Sequence, residues 1–324
     1  ALRAVQRMTD AIIHRGPDGE GHWVNGPIGL GHRRLSIIDL SSAARQPMTT
    51  PDGRYVLSYN GEVYNFQELR AELQAQGHRF NSRSDSEVVL RAFAEWGRSA
   101  LERLNGMFAF ALWDTQDKRL TLARDRYGIK PLYYARIGNS LLFGSEVKAI
   151  LAHGDYRAIL DREGLYEYFT FQNFFTDRTL FKNVKLLPAG CILEVDFANG
   201  RMGDVCRYWD YHFSEPERSA SESEYVEELD RLFCQAVNRQ LVSDVDIGSY
   251  LSGGMDSGSV TAIAGTQLQD LKTFTCGFDL HSASGLELSF DERPAAEHMS
   301  YVFGTEHYEM VLKAGDMERA IPRL

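Results

Sequence analysis

The chain has 324 residues, enough for two domains, and its 44% hydrophobic and 25% charged residues are typical of a globular protein rather than a disordered or collagen-like one. A formal charge of −10 argues against a broad surface for nucleic acid or anionic membranes. The longest strongly apolar run, residues 107–113, is too short to span a bilayer. Four cysteines without paired metal-ligand spacing do not form a disulfide framework. We therefore expect a cytoplasmic protein with no nucleic-acid or membrane partner.

The first two thirds of the chain carry strand and helix signals in separate runs. Residues 1–13 place apolar side chains on one helical face. Asn65 with Glu68, and Ser84 with Glu87, predict the starts of two further helices. Short strands are predicted over residues 28–33, 37–40, 54–59, 107–113, 120–123, 132–135 and 140–143. This segregation predicts an α+β sandwich.

The pattern changes after a polar stretch at residues 211–223, which is predicted to be a linker. A helix over residues 224–241 precedes a strand (245–251), a glycine-rich loop, a helix (256–268) and another strand (272–277). This order is the beginning of a doubly wound parallel sheet. The predicted domains are therefore residues 1–210 and 224–324.

The glycine-rich loop Ser252-Gly253-Gly254-Met255-Asp256-Ser257 lies between a predicted strand and a predicted helix. Its glycines let backbone N–H groups approach a phosphate, and the helix N-terminus favours an anion. No Gly-Lys-Ser/Thr follows, so the loop is not a Walker A motif. Asp256 is placed to hold a Mg²⁺ ion that bridges phosphate oxygens. The alternative is a tight turn in which Asp256 and Ser257 only cap the helix.

Several segments in fixed order resemble one family. The loop is similar to that of enzymes that split ATP between its α- and β-phosphates. The other segments are residues 14–18 (HRGPD), 32–39 (HRRLSIID), 59–65 (YNGEVYN), 84–87 (SDSE), 106–110 (GMFAF), 124–134 (RDRYGIKPLYY) and 145–149 (SEVKA). Together they resemble the glutamine-hydrolysing asparagine synthetase family, a class II glutamine amidotransferase fused to an ATP-pyrophosphatase-type synthetase domain. The resemblance implies an N-terminal-nucleophile-hydrolase sandwich (αββα) followed by an incomplete α/β doubly wound domain.

The resemblance also implies a glutamine site. Arg34 corresponds to the arginine that grips the α-carboxylate, and Asp85 and Glu62 to the acids that receive the α-ammonium group. Asn60 and the Gly61 N–H correspond to the oxyanion-hole donors. The remaining implied glutamine contacts are Leu35, Ser36, Ile37 and Ile38. The alternatives are a solvated surface pair for Arg34 and Asp85, and a type I′ turn for Asn60-Gly61.

The resemblance further implies an ATP site formed by Leu251, Ser252, Gly253, Gly254, Asp256, Ser257 and Cys276. A buried, inert cysteine is the ordinary alternative for Cys276. The family's nucleophile is a cysteine at the first residue, whereas this chain begins with Ala1 and has its earliest cysteine at Cys191. The family's later aspartate-binding residues are also absent. We therefore expect a chain truncated at both ends and inactive by itself.

The implied activity is that of an ATP-dependent carbon–nitrogen ligase. Glutamine supplies ammonia, MgATP activates the aspartate side chain as an acyl-adenylate, and the products are asparagine, AMP, pyrophosphate and glutamate. One alternative is a β-lactam-synthetase-like or peptide-cyclising enzyme with a decayed glutaminase site. Another is a non-catalytic glutamine- or ATP-binding module. A homodimer is a further expectation, since dimers are common among similar enzymes.

Overall fold

A computed structural model describes residues 1–215, 220–279, 291–313 and 315–321 of the chain. The chain divides into two compact units, Ala1–Ser214 and Glu215–Leu324. The sheets of the first unit are antiparallel, and the sheet of the second is parallel. In the described ranges, no helix is both long enough and apolar enough to cross a membrane.

The helices of the first unit are α1 (Leu2–Asp10), α2 (Phe66–Ala75), α3 (Asp85–Trp96), α4 (Ala100–Arg103), α5 (Val147–Leu151) and α6 (Arg162–Phe171). Its strands are β1 (Gly19–Asn25), β2 (Ile28–Arg34), β3 (Met48–Thr49), β4 (Tyr55–Val63), β5 (Gly106–Asp114), β6 (Arg119–Arg124), β7 (Tyr133–Ile137), β8 (Ser140–Gly144), β9 (Val184–Leu186), β10 (Cys191–Asp196) and β11 (Arg201–Arg207). They form a six-stranded sheet in the order β11-β10-β6-β5-β4-β3, a three-stranded sheet β8-β7-β9, and the hairpin β1-β2.

Three apolar cores separate the layers of this unit. The first lies between α2, α3 and α4 and the six-stranded sheet, and includes Leu73 and Phe108. The second lies between that sheet and the smaller sheets, with Leu30 and Leu122 inside. The third, around Ile150, packs α1 and α5 against β7 and β8. The layer order is therefore helix, sheet, sheet, helix, and the predicted αββα sandwich is confirmed.

Local sequence explains most of these elements, but one predicted strand is wrong. Ser84 caps α3 by accepting from the Glu87 N–H, as its position predicts. Residues 37–40 are not a strand. Asp39 has a left-handed backbone (φ 57°), and its carboxylate accepts from the backbone N–H groups of Ser41 and Arg83. These two bonds, one local and one from a residue far along the chain, hold the segment as a loop in place of the ladder that a strand would need.

The second unit contains α7 (Glu222–Arg239), β12 (Gly248–Tyr250), α8 (Met255–Gln267), β13 (Lys272–Phe278), α9 (Arg293–Phe303), β14 (Glu306–Leu312) and α10 (Asp316–Ala320). The strands are parallel in the order β12-β13-β14, with α8 and α9 as the connections. This succession confirms the predicted start of an α/β domain. Helix α7 begins inside the predicted linker, and residues 216–219 of that linker lie outside the described residues.

Candidate active site

A cavity of ≈ 820 Å³ in the first unit is lined by parts of β2, β4, β5 and β8 and by the start of α3. The predicted glutamine-site residues that line it are Arg34, Leu35, Ile37, Ile38, Asn60, Gly61, Glu62 and Asp85. Ser36 does not line it, and its N–H donates to Asp18 Oδ2 at 2.8 Å. The fold therefore brings together residues that are far apart in the sequence.

Asn60 and Gly61 lie within β4, so the alternative of a type I′ turn is wrong. Gly61 is opposite Phe108 in the β4–β5 pair. Phe108 directs both its backbone groups to Asp125: its N–H donates to Asp125 Oδ2 at 3.1 Å, and its carbonyl accepts from the Asp125 N–H at 2.8 Å. Since bonded and non-bonded pairs alternate in antiparallel strands, Gly61 turns its N–H away from β5.

The N–H groups of Tyr59 and Val63 point to the same free edge of β4 as that of Gly61. Strand β3 pairs only with the earlier part of β4. The Tyr59 N–H donates to Gln46 Oε1 at 2.7 Å, and the Val63 N–H donates to Asp85 Oδ2 at 3.1 Å. Between these two satisfied donors, the described residues offer the Gly61 N–H no acceptor. Gly61 is partly buried and lines the cavity, so its N–H is available to a ligand there.

The Asn60 side chain supplies a second donor without a partner. Asn60 lines the cavity, and within the described residues its buried Nδ2 atom has no hydrogen-bond partner. The residue after Asn60 has to be glycine. A Cβ at position 61 would lie 2.4 Å from the Met107 carbonyl oxygen and 2.8 Å from Phe108 Cα. The close approach of β4 to β5 therefore requires glycine here.

Asp85 is the first residue of α3 and is almost completely buried. Its Oδ2 atom accepts from the Tyr59 hydroxyl at 2.8 Å and from the Val63 N–H at 3.1 Å. Burial raises the pKa of this carboxyl, although these hydrogen bonds act in the opposite direction. The alternative of a solvated surface residue is therefore wrong for Asp85.

Glu62 lies on the same cavity wall, two residues after Asn60. Burial, followed by the charge of Asp85, raises the pKa of Glu62, while Lys130 lowers it. Two carboxyl groups with raised pKa values in one cavity favour a cationic ligand, because a positive charge would relieve both burial and mutual repulsion.

Arg34 ends β2 and holds the loop that follows it. Its guanidinium donates to the carbonyl oxygens of Ser41 at 3.1 Å, Ile38 at 3.4 Å and Asp39. A substrate carboxylate at Arg34 has to share the guanidinium with these carbonyls. His32, two residues earlier, also lines the cavity; burial, followed by the charge of Arg34, lowers its pKa to about 4. His32 is therefore neutral near pH 7.

Sequence reasoning did not assign a role to Tyr59, Lys130 or Asp125. Asp125 is fully buried and accepts hydrogen bonds from four backbone N–H groups, including those of Ile129 and Lys130. These bonds shape the turn that brings Lys130 to the cavity. The signal that could have predicted this turn is Asp125 with a glycine three residues later: Gly128 has a left-handed backbone (φ 67°), which glycine adopts readily.

The predicted ATP-site residues Leu251 to Gly254 follow β12, Asp256 and Ser257 lie in the first turn of α8, and Cys276 lies within β13. Leu251 is buried and its N–H donates to the Phe274 carbonyl at 2.9 Å. In the loop, the Ser252 hydroxyl accepts from the Gly254 N–H at 3.1 Å, and the Ser257 hydroxyl from the Ser252 N–H at 3.0 Å. These bonds fix the loop at the N-terminus of α8, whose first N–H groups have no partner within the helix.

Gly253 fits this loop because a Cβ there would lie 2.8 Å from Ala295 Cβ on α9. Asp256 is exposed in the first turn of α8. Cys276 is exposed on β13, opposite Met310 of β14, so the alternative of a buried cysteine is wrong. No group of three or more potential metal ligands occurs among the described residues. Within the same ranges, none of the four cysteines lines the cavity of the first unit.

Comparison with known proteins defines the class to which this fold and cavity belong. A family model described as a glutamine amidotransferase domain matches residues 1–209, and a model described as asparagine synthase matches residues 228–324. The chain belongs to the glutamine amidotransferase domain family. The asparagine synthase match over residues 228–324 and the named relatives confirm the resemblance to glutamine-hydrolysing asparagine synthetases.

Three similar proteins carry that name. "Asparagine synthetase [glutamine-hydrolyzing] 3" of Bacillus subtilis is 39% identical, covering 97% of this chain and 52% of the relative. "Asparagine synthetase [glutamine-hydrolyzing] 1" of the same organism is 35% identical, covering 99% and 49%. A putative asparagine synthetase of Mycobacterium tuberculosis is 33% identical, covering 100% and 50%. The chain thus spans about half the length of the curated relatives it matches.

Proposed function

We propose that the chain is part of a glutamine-dependent asparagine synthetase. Residues 1–210 form the glutaminase domain and residues 224–324 part of the synthetase domain, joined by a linker at residues 211–223 whose last two residues already belong to α7. The single observation that carries the glutaminase assignment is the Gly61 N–H, unpaired between two satisfied neighbours on the free edge of β4. An oxyanion formed at a glutamine amide needs such a donor.

The cavity supplies a complementary group for each part of glutamine. Arg34 faces the α-carboxylate, and Asp85 with Glu62 faces the α-ammonium group. The Gly61 N–H and the Asn60 Nδ2 atom stabilise the negative charge on the amide oxygen in the transition state. His32 stays neutral and adds no positive charge that would compete with the ammonium group.

In the second unit we propose an ATP site on the loop from Leu251 to Ser257, with Cys276 beside it. The unpaired N–H groups at the start of α8 bind phosphate oxygens. Asp256 fits a Mg²⁺ ion, because its carboxylate is exposed at that helix start and has no partner in the described part of the chain. Bound there, Mg²⁺ would neutralise phosphate charge. Aspartate is the proposed acceptor and the cytoplasm the proposed compartment.

Calorimetry with the chain tests each unit separately. We expect L-glutamine to bind and D-glutamine and L-glutamate to bind at least tenfold more weakly, because the site matches the L-zwitterion and the neutral amide. In the second unit, Asp256→Asn should weaken MgATP binding without changing glutamine affinity, and Glu227→Gln on α7 is the matched control. Absence of L-glutamine binding at millimolar concentration would overturn the glutaminase assignment. Absence of MgATP binding would overturn the ATP site.

The natural full-length protein tests the complete reaction. We expect release of glutamate from glutamine, and formation of asparagine that depends on ATP and aspartate. Asparagine formed from free ammonia but not from glutamine would contradict the proposed use of the cavity.

A further inference from the structure

We propose that Tyr59 is a positioning residue of the glutamine site: its hydroxyl holds the Asp85 carboxylate in the orientation and ionised form that bind the α-ammonium group. This inference rests on the proposed binding of glutamine in the cavity. Tyr59 is among the residues that line the cavity, but its hydroxyl is bonded to Asp85, so it acts on the ligand through that carboxylate.

The geometry of the two side chains supports this role. Tyr59 is 2% exposed, and its hydroxyl donates to Asp85 Oδ2 at 2.8 Å. The Val63 N–H donates to the same oxygen at 3.1 Å. The backbone N–H groups of Asp85 and Ser86, at the start of α3, also hydrogen-bond to this carboxylate. Two donors on one carboxylate oxygen fix the plane of the carboxylate as well as its position.

Tyr59 is itself held at both ends. Its N–H donates to Gln46 Oε1 at 2.7 Å, and Gln46 Nε2 lies 3.4 Å from the Ser86 hydroxyl, next to Asp85 in α3. The backbone and the phenol of Tyr59 therefore both lead to the start of α3. A residue in this position transmits the geometry of β4 directly to the carboxylate.

The charge of Asp85 depends on few neighbours. The titratable groups that interact with it are Tyr59, Glu62 and Tyr64. Burial raises the pKa of Asp85, whereas the hydrogen bond from Tyr59 lowers it. Glu62 adds repulsion, which Lys130 partly offsets through its attraction to Glu62. Without the hydroxyl, Asp85 would retain its proton to a higher pH and would lose its attraction for an ammonium group.

The test is the glutamine affinity of Tyr59→Phe as a function of pH. We expect an affinity about tenfold weaker than that of the unaltered chain near neutral pH, as for the loss of one hydrogen bond to a charged group. The ratio of the two dissociation constants should be largest at acidic pH and should shrink as the pH rises, since Asp85 ionises in both proteins at high pH. A purely structural role would give a ratio that does not change with pH.

Two controls separate this inference from the function on which it rests. Tyr156→Phe removes a phenol hydrogen bond to the Lys182 carbonyl, beside the apolar core around Ile150, and should leave glutamine affinity unchanged. Asp85→Asn should abolish binding, and adding Tyr59→Phe to it should have no further effect. If Asp85→Asn abolishes binding but Tyr59→Phe keeps the affinity and pH dependence of the unaltered chain, the role of Tyr59 is overturned and the glutamine site still stands. Failure of the unaltered chain to bind glutamine would overturn the glutamine site.

A second variant covers the case in which Tyr59→Phe does not fold. Incorporating 3-fluorotyrosine at position 59 keeps the hydroxyl and makes it a stronger donor. Binding should then persist to lower pH than in the unaltered chain, the opposite of the Tyr59→Phe result. An unchanged acid limit for the fluorinated protein would contradict the proposal.

Discussion

Replacing Gly61 with alanine keeps the backbone N–H but adds one methyl group where β4 and β5 are closest. The new Cβ would lie 2.4 Å from the Met107 carbonyl oxygen and 2.8 Å from Phe108 Cα. Ordinary contact needs about 3.5 Å, so the strands have to separate by about 1 Å in the middle of the sheet. Overpacking of this kind costs about 3 kcal/mol, which lowers Tm by about 6–12 °C in a domain of this size.

The assay is thermal unfolding of Gly61→Ala followed by circular dichroism, together with glutamine calorimetry below Tm. Gly19→Ala in β1 is the control, because its Cβ would meet only Arg34 Cβ at 3.8 Å. We expect a lower Tm and weaker glutamine binding for Gly61→Ala, and wild-type behaviour for the control. A Tm and affinity equal to wild type would refute the argument that glycine is required by strand packing.

Three further substitutions test single contacts. Asn60→Ala in the natural full-length protein should lower kcat for glutamine hydrolysis about 10²–10³-fold with little change in KM, since an oxyanion donor acts mainly in the transition state; a change confined to KM would contradict this. Asp85→Asn should raise Tm at pH 8, because the raised pKa of Asp85 means that its ionised form destabilises the folded state at a pH above the ordinary carboxyl pKa. A lower Tm at pH 8 would show that ionised Asp85 stabilises the fold. Asp125→Asn should cost about 3 kcal/mol of unfolding free energy in urea titration, because the amide cannot accept all four N–H groups; a cost below about 1 kcal/mol would argue against this.

Sequence patterns predicted the elements whose signals are local. The Ser84 cap follows from short-range chemistry, and so do the strands predicted at residues 132–135 and 140–143, which pair as β7 and β8. The strand predicted at residues 37–40 is wrong because the loop is fixed by partners outside it, Arg34 and Arg83. Long-range hydrogen bonds of this kind leave no periodic trace in the sequence.

The sequence predicted which residues form the candidate site, but not how they are arranged. Motif resemblance placed Asn60, Gly61 and Asp85 in one site, and the cavity brings them together. It did not indicate that Gly61 packs against β5, or that Tyr59 holds Asp85, because both depend on strand register. Asn65 is the N-cap residue of α2, as predicted, but its side chain bonds to the Arg103 carbonyl and the Asn105 N–H instead of capping the helix. A residue type alone does not reveal which of two polar partners it selects.

The two buried carboxyl groups of the cavity have a consequence for the heat of binding. Burial raises the pKa of both Glu62 and Asp85, and each charge opposes the ionisation of the other. An arriving ammonium group reverses this, so glutamine binding should expel a fraction of a proton into the medium. The measured enthalpy should then differ between phosphate and Tris buffers, whose own ionisation heats differ. The protein would take up its substrate by exchanging one positive charge for another.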